Sequence, residues 1–188
     1  MKIVITGGPG GGKTSALELF RRELLGKVWI IPESASAIFS SGIERDDNID
    51  ILKAIQKTIY YYQKNVEEIQ ELQHPEKILL CDRGTLDGLA YWPDSDKSFF
   101  NCIKSDFEQE LSRYDAVIHF ETAAVKGQDI TTNNPYRNES NEAAIELDNK
   151  LKDIWKVHPN YHVVESKGSF VDKIINGVKT IRMVVDNN

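Results

Sequence analysis

Long apolar runs are missing from this chain of 188 residues. No stretch approaches the ~20 consecutive apolar residues that a membrane-spanning helix needs. The opening MKIVITGG holds one Lys and a short apolar run that ends in glycines. A secretory leader needs a longer apolar region and a small-residue cleavage site, so none is expected. Cysteine is scarce: Cys81 and Cys102 are the only two, too few for a disulfide framework or a zinc site. Cys81 lies in an apolar run and reads as a buried free thiol, which points to a reducing, cytoplasmic compartment. The histidines at 74, 119, 158 and 162 lack metal-ligand spacing and receive no role. Positive charge is also short. Lys plus Arg number 23 against 29 Asp plus Glu, a net charge of −6, and nonspecific nucleic-acid binding needs a basic face. Internal repeats and low-complexity tracts are absent too.

The remainder is ordinary for a globular chain: 40% hydrophobic and 28% charged residues. Its length suits one domain, 1–188, of a size that buries about 70% of the unfolded surface. Short apolar runs alternate with longer helical patterns, which is the mark of a parallel-sheet α/β fold. Strands are expected at Lys2–Thr6, Val28–Pro32, Lys77–Cys81, Ala116–Phe120 and His162–Glu165. Helices are expected at Thr14–Leu25, Ser34–Ser41, Asn48–Leu72, Thr85–Trp92, Ser98–Ser112, Glu142–Trp155 and Phe170–Val185. In the longest of these, Ile51, Leu52, Ile55, Ile59, Tyr62, Val66 and Ile69 recur at three or four residues, as one apolar face does. Asp47 or Asn48 would cap its start. Glu121–Asn141 is polar and contains Gly127, Asn133, Asn134 and Pro135. A loop of that length in a compact domain is commonly a functional lid, here residues 122–142.

The segment Gly7-Gly8-Pro9-Gly10-Gly11-Gly12-Lys13-Thr14-Ser15 carries the chemistry. It matches G-x-x-x-x-G-K-[ST] between a strand and a helix, the context that confirms a P-loop. Backbone N–H groups must converge on a phosphate, and a glycine-rich turn lets them do so without Cβ clashes. The next helix offers its N-terminus to the same anion. Gly8 to Ser15 would thus hold a nucleoside triphosphate, with Lys13 on the β- and γ-phosphates and the Thr14 hydroxyl on magnesium. No Asn-Lys-x-Asp guanine-reading segment occurs, which favours ATP over GTP.

Ligands of doubly wound sheets sit beyond the C-terminal ends of the strands, where Thr6, Glu33, Asp82 and Glu121 fall. Asp82 closes an apolar strand in a Walker-B pattern and would hold magnesium, or else cap the following helix. Glu33 would accept a proton from an attacking hydroxyl, or else favour a helix N-terminus. Arg83 would meet a substrate or phosphate, or a neighbouring carboxylate. Asp87 would orient an acceptor hydroxyl. Tyr91 and Trp92 would stack on a flat ring, although core packing is the better reading for at least one of them. In the polar loop, Arg137 would close over the γ-phosphate, with Lys126 a weaker candidate.

Taken together, Ile-Thr-Gly-Gly-Pro-Gly-Gly-Gly-Lys-Thr-Ser, Ile31-Pro32-Glu33-Ser34-Ala35, the block Cys81-Asp82-Arg83-Gly84-Thr85-Leu86-Asp87-Gly88-Leu89-Ala90-Tyr91, and Tyr136-Arg137 with Glu139 through Glu142 resemble a family of small P-loop proteins. These are AAA-like ATPases and kinases, and they include bacterial nicotinamide riboside kinase domains. The resemblance spans about residues 1–180. It implies a three-layer, nucleoside-kinase-like P-loop fold with a five-stranded parallel sheet and a lid. In one place the chain departs from the pattern: the segment Gly168-Ser169-Phe170-Val171-Asp172-Lys173 has no arginine before Arg182, so a base contact from that loop is not carried over. The expected activity is transfer of the ATP γ-phosphoryl group to a small hydroxyl acceptor such as a nucleoside or riboside, with Mg2+. Catalysis would fall to Lys13, Glu33, Asp82 and Arg137, and acceptor binding to Glu33, Arg83, Asp87 and Tyr91. The alternatives are a plain ATPase or a nucleotide-dependent switch.

Overall fold

In the computed structural model, residues 1–126 and 140–186 are described. Five parallel strands form one sheet in the order β2-β3-β1-β4-β5. They are β1 (Lys2–Thr6), β2 (Val28–Ile31), β3 (Ile78–Asp82), β4 (Ala116–Phe120) and β5 (Tyr161–Val164). The chain returns between strands through α1 (Lys13–Glu23), α2 (Ser34–Ser40), α3 (Ile49–Gln73), α4 (Asp87–Ala90), α5 (Asp96–Ile103), α6 (Phe107–Leu111) and α7 (Asn141–Trp155). Helix α8 (Phe170–Asp186) follows β5, and a 3-10 turn (Ala123–Lys126) follows β4.

Side chains alternate across a strand, so a strand covered on both faces is apolar throughout. In β1, Ile3 and Ile5 pack with Ala16 and Phe20 of α1 and Ile174 and Ile181 of α8. Val4 faces the other way, with Leu79, Cys81, Val117, Val66 of α3 and Trp155 of α7. Helices thus cover both faces of the sheet, which gives the three layers expected. The strand reversal between β1 and its neighbours β3 and β4 opens a crevice at their C-terminal ends, and the P-loop lies there.

The elements differ from the expected ones in four respects. The expected helix Ser98–Ser112 is two helices. Lys104 adopts φ 54°, ψ 50°, and Asp106 caps α6 by accepting from the Gln109 amide at 2.9 Å. The expected helix Thr85–Trp92 shrinks to α4, because Gly84 and Leu86 form turns before it. Asp82 is the last residue of β3 rather than a residue beyond it. The fourth difference concerns α3, which Asn48 caps. Its buried residues are Ile55, Gln56, Tyr60, Gln63 and Glu67, while Ile51, Tyr62 and Ile69 are exposed. Three polar residues occupy the inward face because that face lines a cavity and a buried charge network, not an oily core. Of the expected lid, residues 127–139 lie outside the described residues, Arg137 among them.

Candidate active site

The P-loop is built from glycine conformations that other residues avoid. Gly7, Gly10 and Gly12 have φ of 126°, 71° and 86°. A Cβ on Gly7 would lie 2.0 Å from the Phe120 carbonyl oxygen, so that position tolerates no side chain. Gly12 is the N-cap of α1, whose start carries no side-chain cap and no acidic residue in its first turn. By contrast Asn48, Ser95, Asp106 and Ser140 cap α3, α5, α6 and α7. Helix α1 therefore keeps its N-terminal amides for an anion. Lys13 is buried, and its Nζ donates to the carbonyls of Gly7 at 2.7 Å and Gly8 at 2.9 Å. Burial, and next the charge of Arg83, lower its pKa to about 8. Thr14 and Ser15 are exposed at the mouth of the loop.

The loop is also held from outside. Asp148 of α7 accepts the Gly8 amide at 2.5 Å, and His119 of β4 lies 3.1 Å from the same carboxylate oxygen. Thr122 donates to the Pro9 carbonyl at 2.5 Å.

Beside the loop, Glu33, Asp82, Arg83 and Asp87 come together. Arg83 is the hub. Its Nε donates to Glu33 at 2.6 Å and its Nη1 to Asp87 at 3.0 Å, and its guanidinium lies 5.6 Å from the centre of the Tyr91 ring. Asp87 also accepts from Thr6 Oγ1 at 2.9 Å and from Trp155 Nε1 at 2.7 Å. Burial raises Glu33, but the Arg83 charge and the hydrogen bonds from Ser36 and Arg83 outweigh it and hold the carboxyl at about 2. Asp82 behaves in the opposite way. Burial dominates there and lifts it to about 6, and its Oδ1 is buried without a hydrogen-bond partner.

A cavity of about 150 Å³ opens from this cluster. Its walls come from Glu33 and Phe39, from Gln56, Tyr60 and Gln63 on α3, and from Arg83, Asp87 and Tyr91. Arg45 reaches its edge and covers the Phe39 ring at 4.5 Å.

Comparison with known proteins follows the same lines. A family model for the AAA domain, AAA_28, matches residues 2–173. The chain belongs to this AAA-domain family. Among solved structures it resembles deoxyadenosine kinase from M. mycoides with bound dATP. The two are 16% identical, with a TM-score of 0.57 over 99% of this chain and 100% of that one. A structure of the same kinase with products dCMP and a flexible dCDP bound is likewise 16% identical, with a TM-score of 0.55 over 100% of this chain and 99% of that one. No curated protein gives a significant match. The two structures establish that this family member has the P-loop fold of nucleoside kinases.

The structure brings together Lys13, Glu33, Asp82, Arg83, Asp87 and Tyr91, all picked out in the sequence. Arg137 lies outside the described residues, as does the Lys126 side chain. Trp92 packs in a core cluster with Tyr60, Phe99 and Ile103, while Tyr91 lines the cavity. Sequence reasoning passed over Phe39, Arg45, Gln56, Gln63 and Asp148. For Gln56 and Gln63 a signal existed: polar residues at 56, 63 and 67 repeat at helical spacing on one face of α3. For Asp148, 140 residues from Gly8, none existed. His119, given no role, is wholly buried beside it.

Proposed function

We propose that the protein is an ATP- and Mg2+-dependent kinase that phosphorylates a hydroxyl of a small nucleoside- or riboside-like acceptor. The observation that carries this reading is the shared wall of the P-loop and the cavity: Pro9 of the loop lines the same space as Glu33, Arg83 and Asp87. A triphosphate end in the loop and a hydroxyl in the cavity would therefore meet. We treat the whole chain as one such unit. Two free cysteines and the lack of any helix long and apolar enough to cross a membrane among the described residues suit a cytoplasmic setting.

The loop amides and Lys13 bind the phosphates. The orphaned Oδ1 of Asp82 fits a magnesium ligand, because an unpartnered buried carboxylate oxygen gains most from a cation. With the Thr14 hydroxyl it would hold the ion. Magnesium held by these residues would supply charge stabilisation for the transferring phosphoryl group. Among the described residues no group of three His, Cys, Asp or Glu could hold a metal alone, which suits an ion that arrives with the nucleotide.

Glu33 receives the proton of the acceptor hydroxyl. Its low pKa makes it a weak base, which suits a loose phosphoryl-transfer transition state, where the proton leaves late. Arg83 carries a full charge beside the reacting groups and is held there by Glu33 and Asp87. Tyr91 offers an aromatic wall for a flat ring. Gln56 is 9% exposed and its side chain makes no hydrogen bond within the described residues, so its amide can meet the polar edge of such a ring. On sequence grounds we assign Arg137 to the transferring phosphoryl group.

A coupled ADP-release assay with a panel of nucleosides and ribosides tests the reading. Acceptor-dependent release is expected. Release that ignores the acceptor would make the protein an ATPase, and binding without release would make it a switch. Either outcome overturns the kinase assignment. Lys13→Ala should abolish ATP binding in calorimetry, and unchanged binding would sink the nucleotide assignment as well.

A further inference from the structure

Behind the cavity lies a charge network that the proposed reaction does not use directly. Glu67 of α3 is wholly buried. Its two carboxylate oxygens take four donors: Gln63 Nε2 and the Tyr114 hydroxyl, each at 2.8 Å, Arg113 Nη2 at 2.6 Å and Lys2 Nζ at 3.1 Å. Two of these partners reach onward to a single turn. Gln63 Nε2 also donates to the Arg83 carbonyl at 3.2 Å, and the Thr85 amide donates to the Tyr114 oxygen at 2.8 Å. Glu67 thus grips the turn Arg83-Gly84-Thr85 at both ends. Arg83 needs such a grip, because its φ of 75° is one that side-chain-bearing residues adopt only when their surroundings impose it. Gln63 also accepts from the Ser34 hydroxyl, next to Glu33, so the same amide ties together the two segments that carry the Arg83–Glu33 pair.

We propose that Glu67, acting through Gln63 and Tyr114, is the positioning residue that locks Arg83 into its left-handed conformation and so aims its guanidinium at the reacting groups. The proposal deepens the kinase reading and rests on it for its catalytic consequence. Its structural core can be measured without turnover. Lys2 and Arg113 would lose their shared counter-charge in a Glu67 variant, which invites misfolding. The two arms are therefore cut separately, by Gln63→Met and by Tyr114→Phe. The readout is hydrogen exchange of the Arg83 Nε–H, which donates to Glu33, followed by nitrogen NMR well below the melting temperature and assigned with Arg83→Lys. Either cut should speed exchange about tenfold or more, as opening of that bond becomes easier. The Kd for Mg·ATP should stay within about twofold, while kcat falls roughly tenfold to 100-fold, the scale of an ångström-level misplacement. Ser105→Ala removes a comparable hydrogen bond, to Glu110 at 2.6 Å, outside the two arms, and should leave Arg83 exchange unchanged. Unchanged Arg83 exchange in both arm variants would overturn the proposal, and so would equal acceleration in Ser105→Ala. Absence of transfer to any acceptor by the wild type would instead sink the kinase reading, with the exchange result still deciding how Arg83 is held.

Discussion

Replacing Asp87 by Asn tests whether the site is held by charge or merely by shape. Asp87 is 3% exposed and receives three side-chain donors: Thr6 Oγ1, Trp155 Nε1 and Arg83 Nη1. An amide of the same shape has one oxygen. If that oxygen stays on Trp155, the NH2 group faces the Arg83 guanidinium, donor against donor. If it flips toward Arg83, the NH2 group faces the indole N–H. Thr6 can rotate to accept, but one of the other two bonds is lost in either orientation. A lost charge-assisted bond costs about 1.5–3 kcal/mol, and breaking a buried ion pair costs about 3–5 kcal/mol. Arg83 keeps Glu33, whose side chain is 31% exposed, so the lower part of that range applies, about 3 kcal/mol. For a chain of this size such a loss lowers Tm by roughly 6–12 °C. Thr6→Val removes one donor and no charge, and should cost about 1 kcal/mol. Scanning calorimetry of both variants decides the matter. A shift below about 2 °C for Asp87→Asn, or a shift for Thr6→Val that exceeds the one for Asp87→Asn, would refute the argument that Asp87 anchors Arg83 by charge.

Asp82 must be ionised to hold magnesium, and its folded pKa is about 6, so Mg·ATP affinity should fall about tenfold per pH unit below that value. Asp82→Asn should flatten this profile, as followed by isothermal titration. Because the folded state keeps a proton that the unfolded carboxyl releases from pH 3.8 upward, the stability of the wild type relative to Asp82→Asn should fall as pH rises from about 4 to about 6 and level off above, as read by calorimetry across that range. For Lys13, lowered to about 8, triphosphate binding restores the charge. At pH 8.5 ATP binding should take up roughly three quarters of a proton, seen as a dependence of calorimetric heat on the buffer, and zero uptake would contradict the buried-lysine geometry. Gly7→Ala should abolish ATP binding in the same titration, since its Cβ would meet the Phe120 carbonyl at 2.0 Å.

The parts of this molecule that could be read from sequence are those whose cause is local. A P-loop is one turn and the helix after it, so its glycines, Lys13 and Thr14 announce themselves within nine residues. Strand positions follow from apolar runs, and all five expected strands form within a residue or so of their places. Element breaks were harder. Phe99, Ile103, Phe107 and Leu111 keep a helical spacing straight through the left-handed residue Lys104, and periodicity does not register a break that preserves phase. Ser95 and Asp106, each three residues before an amide they accept from, were the available signals.

Within the site, residue types were legible and their partners were not. Nothing near position 87 says that Trp155 will donate to it, because that contact spans 68 residues. This distance between type and role explains the division of labour among the carboxylates. Glu33 and Asp82 at strand ends and Asp87 in the block after β3 carry the same functional group, and burial and neighbours separate them. Asp82 is alone with an orphaned oxygen and a raised pKa, Glu33 is half-open and held ionised by Arg83, and Asp87 is buried and accepts from three side-chain donors. Environments that drive like groups apart assign them different tasks. Of the three, only Asp82 has an orphaned oxygen to spare for a cation, Glu33 is held ionised and stays accessible to a substrate proton, and Asp87 is committed first to holding Arg83, Thr6 and Trp155 in place.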